Sequence, residues 1–117
     1  MKIRRIVPDI KGESPEDSSR FYTEVIGLEQ VMDLGWIVCF ASPSNPTAQL
    51  QVISEDASAS VRPDVSIEVE DVEAVHATAL AYGAEIVHPL TDEPWGVRRF
   101  FVRDPNGAVI NVMTHLE

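Results

Sequence analysis

The side chains in this sequence that could support metal or nucleophilic chemistry are three histidines and one cysteine. Imidazole and thiolate groups bind transition metals, and both can take part in covalent or acid–base catalysis. Their positions favour other roles. His76 lies within a predicted helix, His88 ends a predicted strand, and His115 follows the last strand pattern. Cys39 lies in a strand rather than at an activating helix N-terminus, which is typical of a small buried apolar group. We therefore predict no hydrolytic triad.

Composition and charge exclude several classes of protein. The chain has 117 residues, a length typical of one domain, and its 44% hydrophobic content is enough for a core. The net charge of −10 comes from 19 acidic and 9 basic side chains, so we expect no nucleic-acid partner. Such a charge would attract small cations, or would serve solubility alone.

Cysteine content and apolar runs bear on the compartment. A single cysteine excludes an internal disulfide and a multi-cysteine zinc site, and it fits a reducing cytoplasm. No apolar run approaches the roughly 20 residues that a membrane span needs. The opening "MKIRRIVPDI" has basic residues but no apolar signal core after them. We expect a cytoplasmic protein with no membrane partner.

The first half of the sequence reads as strand, helix and three strands. "KIRRIVPD" favours a strand, and "GESPEDSSRFYTEVIGL" favours a helix with Ser14 as N-cap, Pro15 at its first position and Gly27 as C-cap. The spacing of its apolar residues predicts one buried stripe, formed by Phe21, Tyr22, Val25 and Ile26. "EQVMDL", "WIVCFAS" and "AQLQVIS" are the strands that follow.

The second half repeats this plan. "DVSIEVE" alternates as a strand should, Asp71 caps the helix "VEAVHATALAY", and Gly83 ends it. "AEIVHP", "GVRRFFVR" and "AVINVMT" are three further strands, the last two joined by the strong turn sequence "DPNG". "VIGLEQV" at 25–31 aligns with "AYGAEIV" at 81–87, so the halves form an internal repeat.

The doubled order, with "RFYTEVIGL" in the first helix and "PWGVRRFFVRDPNGAVINV" at the end, resembles the vicinal oxygen chelate superfamily. Its members include glyoxalases, extradiol dioxygenases, fosfomycin-resistance enzymes and bleomycin-resistance proteins. The resemblance implies an α+β fold of two βαβββ modules, which form a curved mixed sheet around a cavity, and usually a homodimer. We expect one glyoxalase-like domain over 1–117, with module 1 at about 1–54, a linker at about 55–63 and module 2 at about 64–117.

In metal-dependent members, four strands supply the ligands, and the resemblance places Val7, Gln51, Asp64 and Asn111 at those positions. Valine has no donor atom, and neutral amide oxygens are weak ligands that suit hard ions. A catalytic zinc, iron or nickel site usually has three good protein ligands. We therefore predict no metal ligands and no cofactor, with a divalent metal as the alternative.

Strand alternation extends these positions into a predicted cavity lining. The predicted ligand-binding residues are Arg5, Gln49, Gln51, Asp64, Ser66, Glu68, Arg99, Phe101, Asn111, Met113 and Trp36. The predicted helix-facing residues are Ile6, Leu50, Val52, Val65, Ile67, Val69, Ile110 and Val112. This polar and aromatic lining suits a small organic ligand.

Two other interpretations of this lining stay open. In one, its residues satisfy each other in a sealed core, for instance Arg99 with Asp64 or Glu68. The second concerns Trp36 and Trp95, which flank strand starts in the two halves. Their rings could stack on a planar or cationic ligand, or could simply pack a core or dimer surface.

Three functions fit these features. The first is a metal-free protein of the bleomycin-resistance type that binds an aromatic or cationic compound, and so could sequester an antibiotic. The second is a divergent lyase, isomerase or dioxygenase, in which Asp64 and Gln51 hold a metal or Glu68 acts as a general base after burial raises its pKa. The third is an accessory domain that binds another protein. Whether the protein is an enzyme is left open by the sequence.

Overall fold

A computed structural model describes residues 2–117. Its elements, in chain order, are β1 (Ile3–Lys11), α1 (Pro15–Phe21), β2 (Glu29–Asp33), β3 (Ile37–Ala41), β4 (Gln49–Ile53), β5 (Val65–Val69), α2 (Val72–Tyr82), β6 (Ile86–Glu93), β7 (Val97–Arg103) and β8 (Val109–His115). The predicted α+β class and the doubled βαβββ order are confirmed. The cavity stays a prediction.

The strands belong to two compact units, which we call the N-terminal unit (Val7–Arg62) and the C-terminal unit (residues 2–6 with Pro63–Glu117). In the N-terminal unit, β3 runs antiparallel to β2 and β4, and β1 runs parallel to β4. In the C-terminal unit, β5 runs parallel to β8, while β7 runs antiparallel to β8 and β6. Strand β1 contributes residues to both units.

The predicted helix boundaries are confirmed by their caps. The Ser14 side chain accepts a hydrogen bond from the Asp17 amide at 3.2 Å, and Asp71 does the same for the Ala74 amide at 3.1 Å. Gly83 ends α2 with a φ of +85°, a left-handed conformation that costs glycine little.

The stripe predicted for the first helix is wrong. After Phe21 the chain forms a π-helical turn, Tyr22–Ile26, where the 3.6-residue spacing behind that prediction does not apply. Phe21, Val25 and Ile26 are exposed, and Tyr22 is the member that packs inward, with its ring 5.4 Å from that of Phe40.

Each unit has its own apolar core between sheet and helix. In the N-terminal unit, Val38, Phe40 and Val52 are fully buried, with Tyr22, Leu28 and Leu50 packed against them. The C-terminal core consists of Val69, Val72, Phe100 and Val112, surrounded by Ile67, Val75, Ala79, Ile86, Leu90, Val102 and Ile110. Most of the predicted helix-facing residues are therefore confirmed. Ile6 is an exception, because it is 60% exposed.

No helix among residues 2–117 is long and apolar enough to cross a membrane.

Candidate functional site

The polar face of the C-terminal sheet, opposite α2, holds most of the predicted ligand-binding residues. Two cross-strand rows define this face: Ser66–Asn111–Phe101–His88 and Glu68–Met113–Arg99–Thr91. Residues in register on neighbouring strands point to the same side of a sheet. Their sequence neighbours, such as Phe100 and Val112, point to the other side and form the core.

Asn111 lies near the middle of the first row and is 8% exposed. Its Nδ2 donates a hydrogen bond to Ser66 Oγ at 3.0 Å. Its Oδ1 is buried and has no hydrogen-bond partner within residues 2–117. Buried polar atoms are nearly always paired, so an unpaired carbonyl oxygen calls for an explanation.

A buried charged cluster of Arg99, Glu93 and His88 lies near the end of the row that begins with Ser66. His88 is the member of the cluster that belongs to this row. Arg99 Nε donates to Glu93 Oε2 at 2.6 Å, and His88 Nε2 lies 3.1 Å from the same oxygen. The Arg99 guanidinium is 4.8 Å from the Trp95 ring centroid and 4.6 Å from that of Phe101, so cation–π contacts add to the ion pair. Glu93 is thus a carboxylate that holds Arg99, and the pairing of Arg99 with Asp64 or Glu68 stays a prediction.

Sequence reasoning missed Glu93 and assigned His88 no role. The cause is β6, whose register with β7 shifts between Ile86 and His88 and again between His88 and Thr91. Such bulges break strict alternation and redirect side chains. The available signal was the acidic, proline-containing stretch "DEPW" before Gly96, since loops of this kind often carry binding residues.

Glu68 links three strands. Its two carboxylate oxygens accept hydrogen bonds from Arg5 Nε at 2.6 Å and His115 Nδ1 at 2.9 Å. Burial raises the pKa of Glu68, but the hydrogen bonds and charges of His115 and Arg5 outweigh it and hold the pKa below its ordinary value. This is opposite to the direction that a general base near neutral pH requires.

The remaining predicted residues have other contacts. Asp64 Oδ2 accepts a hydrogen bond from the Val109 amide at 2.8 Å, which fixes the start of β5 against β8. In the N-terminal unit, Gln51 lies in register with Asp9 and Cys39, while Gln49 Nε2 donates to the Pro46 carbonyl at 2.7 Å. Trp36 directly precedes β3, and its carbonyl accepts a hydrogen bond from the Ser54 amide at 3.0 Å.

The resemblance assigns metal ligands to four positions, and the residues present there are poor ligands for a transition metal. Val7 is buried and has no donor atom. The Asp64 carboxylate already accepts a backbone hydrogen bond. The Asn111 side-chain oxygen belongs to a neutral amide, which is a weak metal ligand. Within residues 2–117, no group of three or more His, Cys, Asp or Glu side chains is arranged to hold an ion.

Comparison with solved structures identifies the fold. A glyoxalase/bleomycin resistance protein/dioxygenase superfamily member from Vibrio splendidus 12B01 is 17% identical, with 96% of this chain and 98% of that chain covered and a TM-score of 0.71. Methylmalonyl-CoA epimerase from Mycobacterium tuberculosis is 15% identical, with 99% and 89% covered and a TM-score of 0.72. The Mn(II)-bound glyoxalase from Novosphingobium aromaticivorans is 21% identical, with 97% and 38% covered and a TM-score of 0.63.

At these identities the solved structures establish the fold alone. No curated protein matches the chain. The family model of the Glyoxalase/Bleomycin resistance protein/Dioxygenase superfamily matches residues 10–112, which is most of the sequence. The chain belongs to this superfamily.

Proposed function

We propose that this protein binds a small organic molecule without a metal ion, as a cytoplasmic homodimer. The observation that carries the proposal is the buried, unpartnered Oδ1 of Asn111. A buried acceptor without a donor costs about 1–3 kcal/mol, and a ligand N–H or O–H that meets it recovers this energy. Such a site is built for a partner that the chain itself does not supply.

The surroundings of Asn111 hold its side chain in one orientation. Its amide plane is held by the hydrogen bond to Ser66, and the two residues lie in register on adjacent parallel strands. Phe101, in register on the other side, is fully buried. Groups fixed on strands lose little conformational freedom when a ligand binds, which favours affinity.

The donor chemistry favours an organic ligand over an ion. At the position where metal-dependent relatives carry a carboxylate, Asn111 offers one neutral oxygen, and Val7 offers nothing. An amide oxygen is nevertheless a good hydrogen-bond acceptor. By contrast, the glyoxalase from Novosphingobium aromaticivorans, which has a similar fold, is bound to Mn(II).

The test is calorimetric titration of a panel of small aromatic and cationic compounds into protein stripped of metal with EDTA. We expect at least one compound to bind equally well before and after stripping. Asn111→Leu, which removes the acceptor and keeps similar bulk, should weaken that binding about 10-fold, as expected for loss of roughly 1.4 kcal/mol.

Asn106→Leu is the matched control, because Asn106 is an exposed residue of the same unit in the turn before β8. It should bind like the wild type. Binding that appears only after a divalent metal is restored would overturn the proposal, and so would a panel in which nothing binds. Equal weakening by the two leucine variants would overturn the role of Asn111.

A further inference from the structure

We infer that the ligand is a cationic hydrogen-bond donor, such as a protonated primary amine, and that His88 Nδ1 is a second acceptor for it. This inference rests on the proposed function and names the ligand class of the same site. It depends on three features of the C-terminal unit, namely the tautomer of His88, its place beside Asn111 and the pairing of nearby charges.

Glu93 determines which nitrogen of His88 carries the proton. The Glu93 carboxylate accepts from Arg99 Nε at 2.6 Å, and an ionised carboxylate can only accept hydrogen bonds. His88 Nε2, at 3.1 Å from Glu93 Oε2, must therefore be the N–H that donates to it. In the neutral ring this leaves Nδ1 as an acceptor. Within residues 2–117, Nδ1 of His88 has no hydrogen-bond partner.

The second acceptor lies in the same row of the sheet as the first. Phe101 is in register with Asn111 on one side and with His88 on the other, and the His88 and Phe101 rings are 5.1 Å apart. With neighbouring strands about 4.8 Å apart, the α-carbons of Asn111 and His88 are separated by roughly 10 Å. Asn111 and His88 therefore lie on either side of Phe101 in this row.

Three donor atoms on this face already have an acceptor. Asn111 Nδ2 donates to Ser66, Arg99 donates to Glu93, and Arg5 donates to Glu68. An anionic ligand would have to compete with buried carboxylates for these groups. A cation meets two acceptors and, more broadly, a chain with a net charge of −10, which raises the local concentration of cations.

The experiment compares three probes of similar shape, namely benzylamine, benzyl alcohol and benzoate, by calorimetric titration into the full-length wild-type protein. It is performed near pH 8, above the ordinary titration range of imidazole. We expect benzylamine to bind about 10-fold or more tightly than benzyl alcohol, and benzoate to bind most weakly. His88→Leu should remove most of the benzylamine preference, whereas His88→Gln, which restores an acceptor and a donor, should recover part of it.

His115→Gln is the control, because His115 is a more exposed histidine of the same unit. It should leave the order of the three probes unchanged. If His88→Leu does not fold, His88→Gln and the wild-type probe order still decide the matter. A preference for benzoate would mean that the Asn111 amide presents its nitrogen rather than its oxygen, and it would overturn the inference.

The outcomes separate this inference from the proposed function. If binding depends on Asn111 but ignores both ligand charge and His88, the proposed function holds and the inference fails. If none of the probes and none of the wider panel binds, both fail. If benzylamine is preferred and His88→Leu abolishes that preference, both hold.

Discussion

The buried Arg99–Glu93 pair gives the strongest quantitative prediction, because the side chains of both residues are almost inaccessible, at 4% and 3% exposure. We consider Glu93→Leu, which removes the carboxylate and keeps similar bulk. The ion pair of the Arg99 guanidinium with Glu93 is then lost, and His88 loses the Glu93 hydrogen-bond acceptor. The free energy of unfolding should fall sharply.

The size of the effect follows from the geometry. At the 2.6 Å between Arg99 Nε and Glu93 Oε2, Coulomb's law with an effective dielectric constant of ~20 gives roughly 6 kcal/mol of attraction. Desolvation offsets part of it, and breaking a buried pair costs about 3–5 kcal/mol in practice. The Trp95 and Phe101 rings still contact the Arg99 guanidinium after the change. We therefore expect the lower end, about 3 kcal/mol.

Urea unfolding monitored by circular dichroism measures this difference. The double variant Glu93→Leu with Arg99→Met should regain most of the loss, to within about 1 kcal/mol of the wild type, because both members of the ion pair are removed together. Glu85→Leu is the matched control. It breaks the exposed Arg103–Glu85 pair, 3.2 Å apart, and should cost less than about 1 kcal/mol.

Two results would refute this reasoning. One is an equal cost for Glu93→Leu and Glu85→Leu, which would mean that burial does not set the energy of the pair. The other is a double variant less stable than Glu93→Leu alone, which would mean that the lost energy comes from packing and not from the broken ion pair.

Three further predictions follow from single side chains. The folded pKa of Glu68 is below its ordinary 4.5, so its stabilisation is complete above that pH and is lost as the pH falls through the folded pKa. Urea titrations between about pH 3 and 6 should show a shallower acid loss for Glu68→Gln, and an unchanged loss would contradict the linkage. Asp71→Ala removes the α2 cap and should cost about 1 kcal/mol by urea unfolding; a neutral effect would argue against the cap. Gly83→Ala should cost about 1–2 kcal/mol from its φ of +85° alone, since the added methyl group meets open space, and a stabilising effect would contradict this.

The elements of the fold were predictable because their signals are local. Ser14 and Asp71 cap helices through side chains that reach three residues along the chain, and "DPNG" forms a turn by its own backbone preferences. Alternation on regular strands correctly placed Ser66 and Asn111 on one face and Val112 on the other.

The charged cluster was not predictable in the same way. Two register shifts in β6 determine how Glu93 and His88 meet Arg99, and such bulges depend on the partner strand rather than on local sequence. The stripe of the first helix was mispredicted for another reason, since the π-helical turn after Phe21 rotates the following residues out of the expected spacing.

The central claim is that Asn111 receives an organic ligand without a metal ion. A crystal structure of metal-stripped protein bound to the tightest compound of the panel tests it most directly. We expect a ligand N–H or O–H at about 3 Å from Asn111 Oδ1, with no ion beside it. A metal ion coordinated by Asp64 or Asn111, or a ligand bound away from Asn111, would contradict the claim.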